Sequence, residues 1–173
     1  MKEIILSDGS VATVDDDDFD RLSRFRWHPK RDRNGQVYAC AHGPGSVRVV
    51  NGKTIDRRAP LSMHRVVLDA PRGVKVDHKD CNGLNNQKSN LRFATTATNG
   101  FNRRKHKRKT SRFKGVYFNK RLRKWCVYLD ARSVGGHVYG GSFADEETAA
   151  HRYDELARQY CGEFARCNFP EAA

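Results

Sequence analysis

Apolar residues along the chain fall in short runs broken by polar turns. Residues 4–6 and 11–14 are β-type runs around Ser7-Asp8-Gly9-Ser10, the pattern of a hairpin. Phe19, Leu22 and Phe25 then recur on one helical face. The preceding Asp15-Asp16-Asp17-Asp18 suits the positive end of that helix, and an N-cap role is expected for it rather than metal binding. Trp27, residues 37–41 and residues 46–50 predict further short strands. Residues 74–78 read as a strand, 79–90 as a loop rich in Asn, Asp and Gly, and 91–93 as a second short strand. Thr95 or Thr96 can cap a helix running through Asn99 towards Asn102.

From residue 113 the pattern changes. Residues 113–118, 124–129 and 136–143 alternate as three strands. Asp145 is placed to cap a helix whose apolar positions are Ala149, Ala150, Tyr153, Leu156, Ala157 and Tyr160, with Gly162 at its end. The alanines let that helix lie close to a sheet.

Charge sharpens this picture. The 173 residues carry 33 Lys and Arg against 20 Asp and Glu, a net +13, with a pI near 9.9. Such a chain attracts polyanions, and nucleic acid leads. Seven of the basic residues lie in residues 103–112, which hold no acid: Arg103, Arg104, Lys105, Lys107, Arg108, Lys109 and Arg112. A run of like charges repels itself, so it reads as an extended linker, either a solvated tether or a phosphate-contacting arm. Mean hydropathy is −0.81, and no apolar run approaches the roughly 18 residues needed to span a bilayer. The opening residues lack a signal-peptide core, so a cytoplasmic protein is expected. The five cysteines form no Cys-x-x-Cys pair and are expected to be reduced and mostly buried.

Chemistry concentrates in residues 61–102. An imidazole can deprotonate water near neutral pH, and hard cations take oxygen ligands from carboxylates and amides. Asp77-His78 at a strand end supplies one of each kind. His78, Asn90 and Asn99 resemble the His-Asn-Asn version of the HNH motif in phage and intron homing endonucleases. The surrounding residues match as well: Met63-His64-Arg65-Val66-Val67, Val76-Asp77-His78-Lys79-Asp80, Asn82-Gly83-Leu84-Asn85-Asn86 and Ser89-Asn90-Leu91-Arg92. The resemblance implies His78 as general base and Asp77 and Asn99 as ligands of one Mg²⁺ or Mn²⁺ per active site. It implies that Asn90 pins the loop so that His78 is oriented. Asn82, Asn85 and Asn86 could share that pinning. His64 stays open between a core position and phosphate contact or site support, and Arg65 is grouped with it.

The C-terminal stretch resembles the Apetala-two / ethylene-response-factor DNA-binding domain, through Lys114-Gly115-Val116, Lys124-Trp125, Gly141-Ser142-Phe143, Ala149-Ala150-His151-Arg152-Tyr153-Asp154 and residues 162–170. That resemblance implies a three-stranded sheet docked in a DNA groove and backed by a helix. Residues 114–132 carry six Lys or Arg against one Asp, whereas 145–160 carry five acids against two Arg. Lys114, Tyr117, Lys120, Arg121, Arg123, His137 and Tyr139 are the expected DNA contacts there, with the linker cations beside them. Trp125 reads as core rather than as a base contact.

The expected fold is α+β in four parts. Residues 1–60 form an α+β element packing on a ββα-metal nuclease at 61–102. A basic linker at 103–112 leads to a DNA-binding module at 113–171, a three-stranded antiparallel sheet packed on one helix. The expected activity is metal-dependent, site-specific cleavage of double-stranded DNA; the oligomeric state is open, and a monomer with one active site would most simply nick one strand. A DNA-binding transcriptional regulator with an inactive nuclease unit is the alternative. An RNA-directed protein ranks below both, since no RNA-stacking signature stands out.

Overall fold

A computed structural model describes residues 1–43, 59–103, 110–131 and 136–169, together with the backbone of 47–50 and 53–56. Contacts divide the chain into two compact units, Met1–Phe93 and Ala94–Ala173. The described part is mixed α and β, with several small antiparallel sheets and four α-helices. Among the described residues no helix is long and apolar enough to cross a membrane.

The first unit opens with the hairpin of β1 (Lys2–Ile5) and β2 (Val11–Val14). Its turn is closed by the bond from Leu6 N to Ser10 O at 2.8 Å, with Gly9 at positive φ. Ile4, Leu6, Ala12 and Val14 face the core. Helix α1 (Asp16–Leu22) follows, and Asp15 sits at its N-cap position. Its carboxylate does not cap, contrary to expectation. It accepts instead from Lys88 N at 2.7 Å and Gln87 Nε2 at 3.4 Å, because a nearby segment offers a backbone donor of its own. Asp18, buried, pairs with Arg21 and Lys88.

Three strands form the next sheet: β3 (His28–Arg31), β4 (Val37–His42) and β7 (Pro60–Ser62), antiparallel in the order β3-β4-β7. Between the last two runs a separate ribbon, β5 (Val47–Val50) with β6 (Lys53–Asp56). Helix α2 (Met63–Val67) starts directly after β7, a short helix that the apolar pattern does not announce. Strands β8 (Lys75–His78) and β9 (Leu91–Ala94) pair with each other. Val14, Leu22, Trp27, Ala39, Met63, Val67 and Leu91 share one core. Trp27 spends its only donor on Leu22 O at 2.8 Å, so the ring is buried at no polar cost.

The second unit begins with α3 (Thr96–Phe101), capped reciprocally by Thr95 and Thr98. A sheet of β10 (Val116–Asn119), β11 (Lys124–Ala131) and β12 (Gly136–Phe143) follows in that order, all antiparallel. Helix α4 (Glu146–Cys161) covers one face of it. Asp145 caps α4 through Glu147 N and Thr148 N, both at 2.9 Å, and Gly162 ends it at φ +51°. Val116, Val127 and Leu129 meet Ala149, Ala150, Tyr153, Leu156 and Ala157. The approach is close enough that a Cβ on Gly115 would lie 1.9 Å from the Tyr153 ring. Trp125 packs edge-on to Phe118 and joins this core.

Thr110 and Arg112 belong to this module rather than to an extended tether. Thr110 Oγ1 accepts from Phe118 N, and Arg112 N donates to Glu146. Arg104, Lys105, Lys107, Arg108 and Lys109 of the expected linker lie outside the described residues.

Asp154 is the polar staple of the second unit. Buried within α4, it accepts from Asn168 N at 2.7 Å, Asn168 Nδ2 at 3.1 Å and Phe169 N at 2.8 Å. Asn168 in turn bonds both Lys114 N and Lys114 O. Removing the carboxylate orphans two buried amide donors, so Asp154→Ala is expected to destabilise the module by about 3 kcal/mol. Urea unfolding followed by Trp125 fluorescence checks this.

Candidate active site

The site grows from the end of β8. Asp77 and His78 are both buried there. A buried carboxylate must be paired, and Asp77 is: Arg92 on β9 donates to its Oδ2 from Nε at 3.0 Å and Nη2 at 2.8 Å. Arg92 fixes the orientation of Asp77 and offsets its charge. Sequence reading quoted Arg92 without assigning it a role; a cation on the neighbouring short strand was the available signal.

His78 lies among aromatic rings from two other elements. The His64 ring of α2 meets it edge-on at 5.1 Å, and the Tyr38 ring of β4 lies 5.7 Å from each histidine. Burial lowers the proton affinity of His78 below the ordinary imidazole range, opposed by the neighbouring Asn86 amide and the charges of Asp80 and Asp77. Burial depresses His64 further, to about 3, with His78 and Arg65 adding to the effect. His64 Nδ1 is buried without a hydrogen bond. Both rings are therefore held in the neutral form at physiological pH, the form that can accept a proton.

The loop after His78 is tied by one hub. Asn90 Nδ2 donates to Asp80 Oδ1 at 3.0 Å and Asn85 O at 2.8 Å, while Asp80 N donates to Asn90 Oδ1 at 3.1 Å. Asp80 also accepts from Asn82 N at 2.7 Å and Asn85 Nδ2 at 2.8 Å. Asp80 is the partner that sequence reading missed, since its fold-back onto Asn90 crosses ten residues. The loop then docks on β2 through Thr13 N to Leu84 O at 2.9 Å and Asn86 N to Thr13 O at 2.8 Å. Gly83 has to be glycine here: a Cβ would fall 2.2 Å from Val37 O and 2.7 Å from the Tyr38 ring.

The first unit thus gathers Asp77, His78, Asn90 and His64. Asn99 lies on α3, in the second unit, half-buried with its backbone N bonded to Thr95 O. Arg65 does not point to chemistry. Its guanidinium clamps the α2–β8 connection by donating to Val74 O, Ala70 O and Pro71 O.

Asp77 is an oxygen donor of the kind a hard cation prefers. Among the described residues no three His, Cys, Asp or Glu side chains are gathered for a metal.

In the second unit the expected DNA contacts separate into two places. Lys120, Arg121 and Arg123 occupy the β10–β11 turn, which Asn119 Oδ1 shapes by accepting from Arg121 N and Leu122 N. Tyr117, His137 and Tyr139 lie on the sheet face away from α4. Lys114 turns inward, with Nζ donating to Phe101 O at 2.5 Å and lying over the Tyr153 ring. Arg103 follows α3 and is exposed.

The chain belongs to the HNH endonuclease family. It is 31% identical over 166 residues to the Acanthamoeba polyphaga mimivirus protein named Uncharacterized HNH endonuclease L560, a match covering 92% of this chain and 75% of that protein. No protein-family model matches the chain.

His64 carries a pH signature. Its proton affinity is lower folded than unfolded, so the unfolded chain takes up the extra proton as pH falls. Stability is expected to drop progressively below pH 6.5 and to level off near about 3, by an amount on the order of a few kcal/mol. His64→Phe is expected to flatten that acid limb, measured by urea midpoints across the pH range.

Proposed function

We propose that the chain is a metal-dependent DNA endonuclease that hydrolyses one phosphodiester bond per encounter. The observation that carries this reading is the neutral, buried His78 adjacent to Asp77, on a loop whose shape is set by Asn90. Neutral His78 takes a proton from water as the water oxygen bonds to phosphorus. The bond from phosphorus to the 3′ oxygen then breaks, that oxygen takes a proton from solvent water, and the proton on His78 returns to solvent. Asn90 holds the loop, and through it the backbone that follows His78. His64 and Tyr38 exclude water from one side of the ring.

A Mg²⁺ or Mn²⁺ ion with Asp77 among its ligands would neutralise charge on the scissile phosphate and the departing 3′ oxygen. Arg92 holds the orientation of Asp77 through two hydrogen bonds. Each chain has one His78, so a monomer nicks one strand. The cations of the β10–β11 turn and of residues 103–109 bind phosphates, in a C-terminal module read as Apetala-two-like.

A second reading, a DNA-binding regulator with a silent nuclease unit, draws on the Arg92 pair, because a guanidinium on the carboxylate competes with a cation. One experiment separates the two. The protein is expected to nick supercoiled plasmid with Mg²⁺ and not with EDTA. His78→Ala is expected to lose cleavage by a factor of roughly 10² or more while retaining the plasmid gel shift. A wild-type protein that shifts DNA and never nicks supports the regulator. The acid limb of the nicking rate is expected below pH 6.5, because burial lowers the proton affinity of His78.

A further inference from the structure

The outer face of the C-terminal sheet is aromatic rather than basic. Tyr117, Tyr128 and Tyr139 are 38%, 40% and 59% exposed on it. Register places them together: Tyr128 lies opposite Tyr139, and Tyr117 lies opposite Cys126, two residues before Tyr128. Cross-strand and diagonal neighbours of this kind sit within one to two side-chain widths of each other. Among the described residues the face otherwise shows Lys124, Asp130 and His137, whose charges nearly cancel.

Two of the hydroxyls are tied down across the sheet. Tyr139 Oη donates to Cys126 Sγ at 3.9 Å. The Tyr128 hydroxyl bonds His137 Nδ1, and those two rings stack at 5.3 Å and 25°. His137 Nδ1 also faces Asp130 at 3.7 Å. A tyrosine whose hydroxyl is anchored on a neighbouring strand leans along the sheet and turns a ring surface to solvent. Polar tips that are already satisfied leave these side chains their π-faces to offer.

Lys120, Arg121, Arg123 and Lys124 crowd one end of the same face, and no acid lies among them. A phosphate track beside an aromatic floor suits a strand whose bases are unstacked from their partners. A duplex hides its π-faces and would meet a floor that is short of cations.

We infer that the outer face of the C-terminal sheet is a stacking platform for unpaired DNA bases, formed by Tyr117, Tyr128 and Tyr139, with the β10–β11 turn holding the adjoining phosphates. It rests on the endonuclease reading for the choice of DNA, and it implies a substrate with an unpaired stretch.

The test uses the full chain in EDTA, so that nothing is cleaved. Fluorescence anisotropy measures binding to labelled oligo-dT and to a duplex of equal length. Oligo-dT is expected to bind at least as tightly as the duplex. Each of Tyr117→Ala, Tyr128→Ala and Tyr139→Ala is expected to weaken oligo-dT binding roughly fivefold to a hundredfold. Tyr→Phe at the same positions is expected to retain it, since the ring survives. These side chains are exposed, and circular dichroism checks that the variants fold. Unchanged oligo-dT binding in the Ala variants, or Phe as damaging as Ala, overturns the platform. Duplex binding without oligo-dT binding also overturns it and leaves the endonuclease reading standing. Binding of neither DNA removes both. Tighter binding of oligo-rU than of oligo-dT overturns the assignment to DNA.

Discussion

The burial of His78 is the constraint on which the first unit depends. An imidazole in water spends much of its time protonated near pH 6, and a protonated ring cannot accept a proton. Enclosure by Tyr38, His64 and the 79–90 loop removes the water that would stabilise the cation. The neighbouring carboxylate would undo this if left uncompensated, since a bare negative charge favours the imidazolium. Arg92 offsets Asp77 at hydrogen-bond distance, and it comes from the strand that pairs with β8. The state of the ring and the orientation of the carboxylate are therefore tied to one strand pair.

The rest of the first unit supports that pair. Asp80 and Asn90 close the loop on itself, and β2 then accepts the loop as a neighbour through Thr13. Asp15 reaches the same segment by accepting from Lys88 N, and Asp18 pairs with the Lys88 ammonium. The N-terminal hairpin and α1 thus brace the segment that carries Asn90. A site built on short strands needs such bracing, because an isolated two-stranded ribbon is only marginally stable in water.

The second unit solves a different problem. Its sheet must present one face while the helix covers the other, and Gly115 and the alanines of α4 let the layers meet closely. Among the described residues, the positive charge of the 114–132 stretch does not spread over the exposed face. It collects at the β10–β11 turn, and Lys114 is drawn inward. What remains on the face is tyrosine, with hydroxyls turned to neighbours.

Much of this was legible in the residues. Period-two and helical patterns marked β2, β4, β8, the three C-terminal strands and α4, because each buries one face against a core. The caps at Thr95 and Asp145 and the end at Gly162 were legible too, since those signals act within a few residues. Asp77-His78 and Asn90 announced themselves as residue types that suit phosphodiester chemistry. Only the tertiary structure decided who their partners are. Arg92 on Asp77, Asp80 on Asn90, Tyr38 and His64 around His78, and Asp15 turned away from its own helix are all contacts between positions far apart along the chain. Local pattern reports which face a residue shows; packing alone selects the group that face meets, and from that contact follow the protonation state and orientation of each side chain.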